Sequence, residues 1–389
     1  MTTKAISFLG AGNLNETTYC WGEQTCTTHL MAEATVRIFT PDQLHVVVTK
    51  QARERHLDDL QKRLDGVLPV FPVDIPLGES EDDLWKIFAA IAGVIEDKDT
   101  IIFDITNGLR SIPMMALLAA AFVRVVRNAT VERIIYGAFE AKKDNITPIF
   151  DLTPFVGLLD WTSATDAFLR YGRADQLSEL ASVSSSALPP IATSLPRHLN
   201  VLTNALQMVR PVELMRSAQQ LEDLVSSSRH APSTTNQPIS LLLDRIAAEY
   251  GRFGLQTPRQ PSAAPDLLKR KRSMIAWYLD KGLAVQAITL AREWLISLVL
   301  VRVGGDMFRD DHRADAESLL SGYSSPISKL ALPDYDELCK VWEKIRKLRN
   351  DVAHAGMRSP AALATTVIND TSTLCQQLDL ISLTLPQAN

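Results

Sequence analysis

Short apolar runs alternate with amphipathic stretches over the first 140 residues of the chain. The runs have the length and content of buried strands, and they occupy residues 5–9, 44–48, 70–75, 100–103 and 133–139. Apolar residues at helical spacing follow the first four runs, in stretches that begin near residues 28, 52, 84 and 113. This alternation predicts a parallel sheet with helices on both faces.

Beyond residue 155 the pattern is helical. Between 155 and 265, helical pieces are separated by stretches rich in Ser and Pro near 182–190, 226–238 and 257–265, which we interpret as loops. From residue 266, long helical patterns cover 266–279, 283–303 and 334–355. We therefore predict a Rossmann-like α/β domain over 1–155, an all-α connector over 156–265 and an all-α domain over 266–389.

Polar turns follow three of the predicted strands. Ligands of open parallel sheets bind beyond the carboxyl ends of the strands, so we expect these turns to form one anion-binding site. Hydroxyl, amide, bare backbone and guanidinium groups together suit a ligand made of phosphate, ribose and base. The candidate residues are Gly10, Ala11, Gly12, Asn13, Thr49, Lys50, Thr106, Asn107, Gly108, Leu109, Arg110 and Ser111.

Two alternatives apply to these turns. The Gly108 turn can be only a bend before a helix that Ser111 caps. Gly10-x-Gly12 also suggests a dinucleotide fold, but Asn15 stands where the third glycine belongs and no acidic residue ends the second strand. We therefore disfavour NAD as a ligand, and the chain shows no Walker lysine pattern.

The second candidate site lies near the C-terminus. Val341, Ile345, Leu348 and Val352 recur at helical spacing, Gly356 supplies a stop, and Ser359-Pro360 opens the next helix. The last turn of the predicted helix therefore carries Arg349, Asn350 and His354.

These three side chains allow two interpretations. As a phosphodiester site, Arg349 binds the scissile phosphate and His354 transfers protons near neutral pH. As structure alone, basic residues near a helix C-terminus satisfy carbonyl groups and the helix dipole. Physical chemistry by itself favours the second interpretation. Asn350 and His354 share a helix face, but Arg349 lies about 140° round the helix from His354. Either a second copy of the motif or the long guanidinium arm must therefore bring an arginine and a histidine to the same phosphate.

Several segments resemble the CRISPR-associated CARF-HEPN proteins. The similarity is carried by residues 8–13, 48–53, 102–114 and 136–140, stays close to about residue 175, and resumes at 278–298 and 349–354. Arg349-Asn350-x-x-x-His354 is similar to the signature of HEPN ribonucleases. Over the connector the resemblance is loose, and we assign that segment no chemistry.

The resemblance implies a CARF domain that senses cyclic oligoadenylate made by a type III CRISPR complex, and a HEPN domain that then cleaves single-stranded RNA. It implies a homodimer or higher oligomer in which two protomers pair Arg349 and His354, with Asn350 orienting the site. The RNA's own 2′-hydroxyl would attack phosphorus and leave a 2′,3′-cyclic phosphate. We expect no metal site and no cofactor besides the activator. The alternative is a non-catalytic CARF sensor or transcriptional regulator whose helical half dimerises or docks a partner.

Composition narrows the class of protein. With 46% hydrophobic and 22% charged residues and a net charge of −5, the chain is typical of a soluble globular protein and not of one that coats nucleic acid. Its longest apolar runs, 114–123 and 294–301, are too short to span a bilayer and no secretory segment opens it, so we predict a cytoplasmic protein without a membrane partner.

Single residues add three expectations. Cys20, Cys26 and His29 do not match a zinc site, so we expect free thiols. The basic run 269–272 is expected to be a solvated helix face. Glu293 stands in an apolar helix, where a salt bridge to an arginine such as Arg349 would satisfy it.

Overall fold

The computed structural model describes residues 2–107, 112–183, 194–228, 237–332, 334–357 and 362–381. The chain divides into two compact units, Met1–Leu159 and Asp160–Asn389, which we call the first and second units.

The first unit is built on one eight-stranded sheet. Its strands are β1 (Thr3–Leu9), β2 (Thr17–Trp21), β3 (Gln24–Thr28), β4 (Gln43–Val48), β5 (Val70–Asp74), β6 (Thr100–Asp104), β7 (Thr130–Gly137) and β8 (Ile146–Asp151). They lie in the order β3-β2-β8-β7-β6-β1-β4-β5. The five from β5 to β7 in that order are parallel, which confirms the predicted core of the sheet.

Three strands were not predicted, and they make the sheet mixed. β8 runs antiparallel to β7, β2 is parallel to β8, and β3 pairs antiparallel with β2. The sequence pattern predicts no strand between residues 10 and 28, where β2 and β3 lie. The threonines of this segment are polar yet favour strands because they are β-branched. Thr17 and Tyr19, two positions apart on β2, both have buried side chains, as expected for a strand with one face toward the core.

Helices cover both faces of the sheet. They are α1 (Met31–Phe39), α2 (Lys50–Ala52), a π-helical turn (Arg53–Leu57), α3 (Asp58–Arg63), α4 (Glu81–Gly93) and α5 (Ile112–Val126). One apolar core packs α1 and α3 against the sheet, and a second packs α4 and α5 against the other face. Ser80 caps α4, because its hydroxyl accepts from the Asp83 amide at 3.2 Å.

The remaining α-helices of the described ranges follow one another along the chain. They are α6 (Thr153–Tyr171), α7 (Asp175–Val183), α8 (Leu195–Gln207), α9 (Pro211–Ser228), α10 (Gln237–Gly251), α11 (Ala264–Asp280), α12 (Ala284–Arg302), α13 (Asp310–Leu320), α14 (Tyr335–Ala353) and α15 (Ala364–Leu380). One continuous apolar core in the second unit runs from Trp161 to Ile381. An α/β region followed by a helical region is the architecture that the sequence predicts.

One helix of the described ranges, α12, is long and apolar enough to cross a membrane. It extends the apolar run 294–301 in both directions, and 67% of its most apolar window is buried inside the protein. Such burial is typical of the core helix of a soluble protein.

A buried carboxyl group lies at the end of β6. The Asp104 side chain is fully buried and accepts hydrogen bonds from the Ser7 hydroxyl and, at 3.0 Å, from the Thr106 amide. Burial raises the pKa of Asp104, and the hydrogen bonds from Ser7 and Thr106 offset only part of that rise. The folded state therefore binds this proton more tightly than the unfolded state does.

Replacing Asp104 by Asn should change how stability depends on pH. Because the folded pKa lies above the unfolded one, wild type loses stability as pH rises from the unfolded value through the folded value. The asparagine side chain has the same shape as the aspartic acid side chain but does not titrate. The thermal midpoint of Asp104→Asn relative to wild type should therefore increase between pH 4 and pH 7. A difference that stays constant over this range would contradict the assignment.

Candidate functional site

Two of the predicted polar turns meet where β1 and β6 lie side by side. Among the parallel strands, β4 and β5 lie on one side of β1, whereas β6 and β7, which come later in the chain, lie on the other, so this is the switch point of the parallel strands. A Cβ atom added at Gly10 would lie 3.1 Å from the backbone oxygen of Asn107. Gly10 therefore permits a close approach of these two turns.

A small cavity of about 70 Å³ lies at this edge. Four of the predicted residues line it, together with Gln51 and apolar side chains that include Phe8 and Ile75. The four predicted residues are Gly10, Ala11, Thr49 and Asn107.

Other predicted ligand residues lie around the cavity. Thr106 is fixed by its hydroxyl oxygen, which accepts from the Gly137 amide at 2.8 Å. Gly12, Asn13 and Lys50 are exposed and do not line the cavity. Gly108, Leu109, Arg110 and Ser111 lie outside the described residues.

The β4 turn presents a helix N-terminus at the same edge. The Thr49 hydroxyl accepts from the Ala52 amide at 3.3 Å and so caps α2. Lys50, in the first turn, is exposed. Amide groups at a helix start, beside a lysine, suit a phosphate group.

Sequence analysis missed two residues that hold the first turn in place. Arg55 donates from Nη1 to the backbone oxygen of Ala11, and His56 donates from Nε2 to that of Gly12 at 2.9 Å. Both belong to the π-helical turn, a feature often found at functional sites. The sequence signal was the charged group Arg53 to His56 directly after the predicted Thr49-Lys50 turn.

The C-terminal motif lies at the end of α14, as predicted. Arg349 and His354 are exposed and Asn350 is half-buried. The helix is closed by its backbone, because the Ala355 amide donates to the Val352 oxygen at 3.0 Å and the Gly356 amide to the Asp351 oxygen at 3.1 Å. The sequence predicted that Gly356 ends the helix, and the structure shows that Ala355 and Gly356 both have positive φ at this helix end. Ser359 and Pro360 lie outside the described residues.

The side chains of Arg349 and His354 make no hydrogen bond or ion pair within the part of the chain that the structure describes. Neither donates to a helix carbonyl there. The carbonyl-binding part of the structural interpretation is therefore not observed, whereas a favourable interaction with the helix dipole needs no such bond.

A groove of about 870 Å³ runs between α14 and α15. Asn350 lines it, together with the cations Lys344, Arg346 and Lys347. Arg349 and His354 do not line it. One chain thus does not bring the three motif residues into one pocket, in line with the angle of about 140° between Arg349 and His354 on a helix.

The predicted partner of Glu293 was wrong. Its carboxylate binds Arg292 at 2.6 Å and also binds Arg313, and not Arg349. Arg292 is its neighbour in α12, and Arg313 comes from α13, which packs on α12. The half-buried Glu293 carboxylate pairs with cations that are near it in space, and sequence spacing alone did not identify Arg313 as one of them.

The basic run 269–272 is only partly a solvated face. Lys271 is 5% exposed, while Lys269 is exposed to solvent. Arg270 donates to the Gly254 oxygen, and Arg272 binds Asp379 at 2.6 Å. Four consecutive residues on a helix span about 300°, so one of them must face the core.

The cysteine residues are free thiols, as predicted. Cys20 lies opposite Thr25 in the β2–β3 pair, so Cys26 projects from the other face of the hairpin. His29 binds Asp59 at 3.0 Å. Among the described residues, no three His, Cys, Asp or Glu side chains form a group that could hold a metal ion.

The end of α14 allows a test by substitution. Ala355 has φ 51°, in the left-handed region that a β-carbon disfavours. Ala355→Gly should stabilise the protein by roughly 0.5–1 kcal/mol, because glycine adopts this conformation without that cost. Gly356→Ala, at φ 67°, should destabilise it by a similar amount. Urea unfolding measures both, and changes of the opposite sign would contradict this helix end.

Comparison with known proteins places a similarity in the middle of the chain. Residues 157–257 match a family model described as the second domain of CRISPR-associated protein MJ1674. CRISPR-associated protein MJ1674 of Methanocaldococcus jannaschii is 28% identical over 110 residues, which are 27% of this chain and 17% of that protein. The match falls on the segment from α6 to α10, where the sequence resemblance was loosest. The central helices of this chain are thus similar to a domain of a CRISPR-associated protein.

Proposed function

We propose that the protein is an endoribonuclease that cyclic oligoadenylate activates and that cleaves single-stranded RNA in type III CRISPR defence. The observation that carries the proposal is the end of α14, where Arg349 and His354 are exposed and have no partner in the described ranges. The similarity of residues 157–257 to a CRISPR-associated protein supports the biological setting.

The chemistry follows from the groups present. The RNA 2′-hydroxyl attacks phosphorus, a 2′-O–P bond forms, and the P–O5′ bond breaks. Arg349 stabilises the negative charge that grows on the phosphoryl oxygens. The imidazole of His354 takes the proton of the 2′-hydroxyl or gives one to the leaving 5′-oxygen. Asn350 lines the adjacent groove and orients the strand.

The proposed centre uses two copies of the chain. Arg349 and His354 lie about 140° apart on one helix, and we propose that a second α14, rather than the reach of the guanidinium arm, supplies the complementary side chain. A two-fold pair of motifs meets this condition, so we propose a homodimer.

The activator is proposed to bind at the sheet edge of the first unit. Gly10, Thr49 and Asn107 converge there beside the N-terminus of α2, which suits a phosphate-linked adenylate. The ligand shifts the nuclease only if it binds the active arrangement more tightly than the resting one.

Arg349→Ala and His354→Ala should each reduce RNA cleavage by a factor of about 100 or more, since one removes charge stabilisation and the other removes proton transfer. The rate of cleavage of an end-labelled RNA at saturating cyclic oligoadenylate measures the effect. Lys269→Ala is the control, because Lys269 is an exposed cation on α11, away from α14. Cleavage by either motif variant at the rate of the control would refute the assignment and favour a non-catalytic sensor.

Gly10→Ala should weaken the response to the activator. The added methyl group would lie 3.1 Å from the Asn107 oxygen, so one of the two turns has to move. A packing strain of about 1–1.5 kcal/mol raises the half-maximal activator concentration roughly tenfold. Gly93→Ala is the matched control, because its methyl group would meet no atom within 4 Å. Identical activation curves for both variants and wild type would place the ligand elsewhere.

A further inference from the structure

A second large cavity lies within the helical unit, away from α14. Its volume is about 960 Å³, and it opens between the end of α8, the start of α9, the segment before α11 and the middle of α12. Its wall includes four cations, namely Arg210, Arg216, Arg259 and Lys271. Cavities of this size hold ligands as large as a nucleotide.

Positive charge dominates the wall. Arg210 and Arg216 are exposed, and their side chains bind no partner within the described part of the chain. The acids of the wall are Glu213 and Glu293, and Glu293 is already bound to Arg292 and Arg313. The free guanidinium groups therefore face a cavity with little to neutralise them.

Lys271 is the buried member of this set. It is 5% exposed, and its Nζ donates to the Ser297 hydroxyl at 2.9 Å. No carboxylate of the described residues lies within ion-pair distance of it. Burial lowers the pKa of Lys271 to about 8, although the negative charge of Glu293 offsets part of that shift. Because Glu293 is itself bound to Arg292 and Arg313, a further anion in the cavity would stabilise the buried ammonium group.

The first turn of α9 adds donors to the same wall. Val212 and Glu213 line the cavity, and their backbone amides find no acceptor among the described residues. α9 has 18 residues, so these amides carry the positive end of a full helix dipole.

An aromatic surface completes the cavity. Phe308 lies in the wall, and the Arg259 guanidinium lies 4.8 Å from the centre of its ring. Met208 and Val212 add apolar surface beside it. A flat base can stack on such a surface while its phosphate reaches the cations.

We propose that this cavity binds a nucleotide, with the phosphate on Arg210, Arg216 and Lys271 and the base against Phe308. The same chemistry is present in a free nucleotide and in one nucleotide unit of single-stranded RNA. The site does not depend on the proposed nuclease function, because it uses neither the α14 motif nor the sheet edge.

The test is a calorimetric titration of the full-length protein with UTP and with a 2′-O-methyl pentauridylate, in the absence of activator. Both probes carry uracil, so that they do not report binding at the proposed adenylate site. The 2′-O-methyl group of the pentauridylate prevents its cleavage. The double variant Arg210→Ala/Arg216→Ala should bind at least ten times more weakly than wild type. Both arginines are exposed, so the variant should keep its fold, which circular dichroism checks.

Arg173→Ala is the matched control, since Arg173 is an exposed arginine of the same unit that pairs with Asp175 outside the cavity. It should bind like wild type. Tighter binding of UTP would identify a free nucleotide as the ligand, and tighter binding of the pentauridylate would identify an RNA strand. No binding of either probe at millimolar concentration, or equal binding by the double variant and wild type, would overturn the proposal.

Discussion

The helical half of the protein depends on one helix that is buried on every side over its second half. α12 buries every residue from Trp294 to Leu300, and seven consecutive residues point in all directions around a helix axis. A helix of this kind is stable in water only when other helices enclose it, and α11, α13, α14 and α15 do so. The position of α14 follows from this requirement, because its inner face, with Val341 and Ile345, packs on the same core.

That packing leaves the last turns of α14 free for chemistry. The buried residues of α14 end at Ile345, and Arg349 and His354 lie beyond it on the surface. The helix end needs neither side chain, because backbone amides satisfy its carbonyl groups. The proposed catalytic centre is made from two such ends, because the helical angle separates the two residues on one chain. In this proposal a ligand bound to the first unit controls cleavage by changing how the two helix ends pair.

Periodic patterns carried most of what the sequence could predict. The helix at 334–355 is observed as Tyr335–Ala353, and the five parallel strands are present. β2 and β3 were missed because threonine hides the apolar alternation. Arg55 and His56 were missed because the backbone oxygens that they bind belong to a turn far earlier in the chain, so the charged group Arg53 to His56 did not identify its partners. The partners of Glu293 and the burial of Lys271 depend on which helices become neighbours, and spacing along one helix does not contain that information.

The most direct test of the account is the rate at which wild-type protein cleaves an end-labelled single-stranded RNA in EDTA, with and without cyclic oligoadenylate. The account predicts cleavage that the activator increases strongly, with a 2′,3′-cyclic phosphate at the new end, because the 2′-hydroxyl is the nucleophile. DNA of the same sequence should stay intact, since it lacks that group. Absence of RNA cleavage at any activator concentration, or products that end in a 3′-hydroxyl, would contradict it.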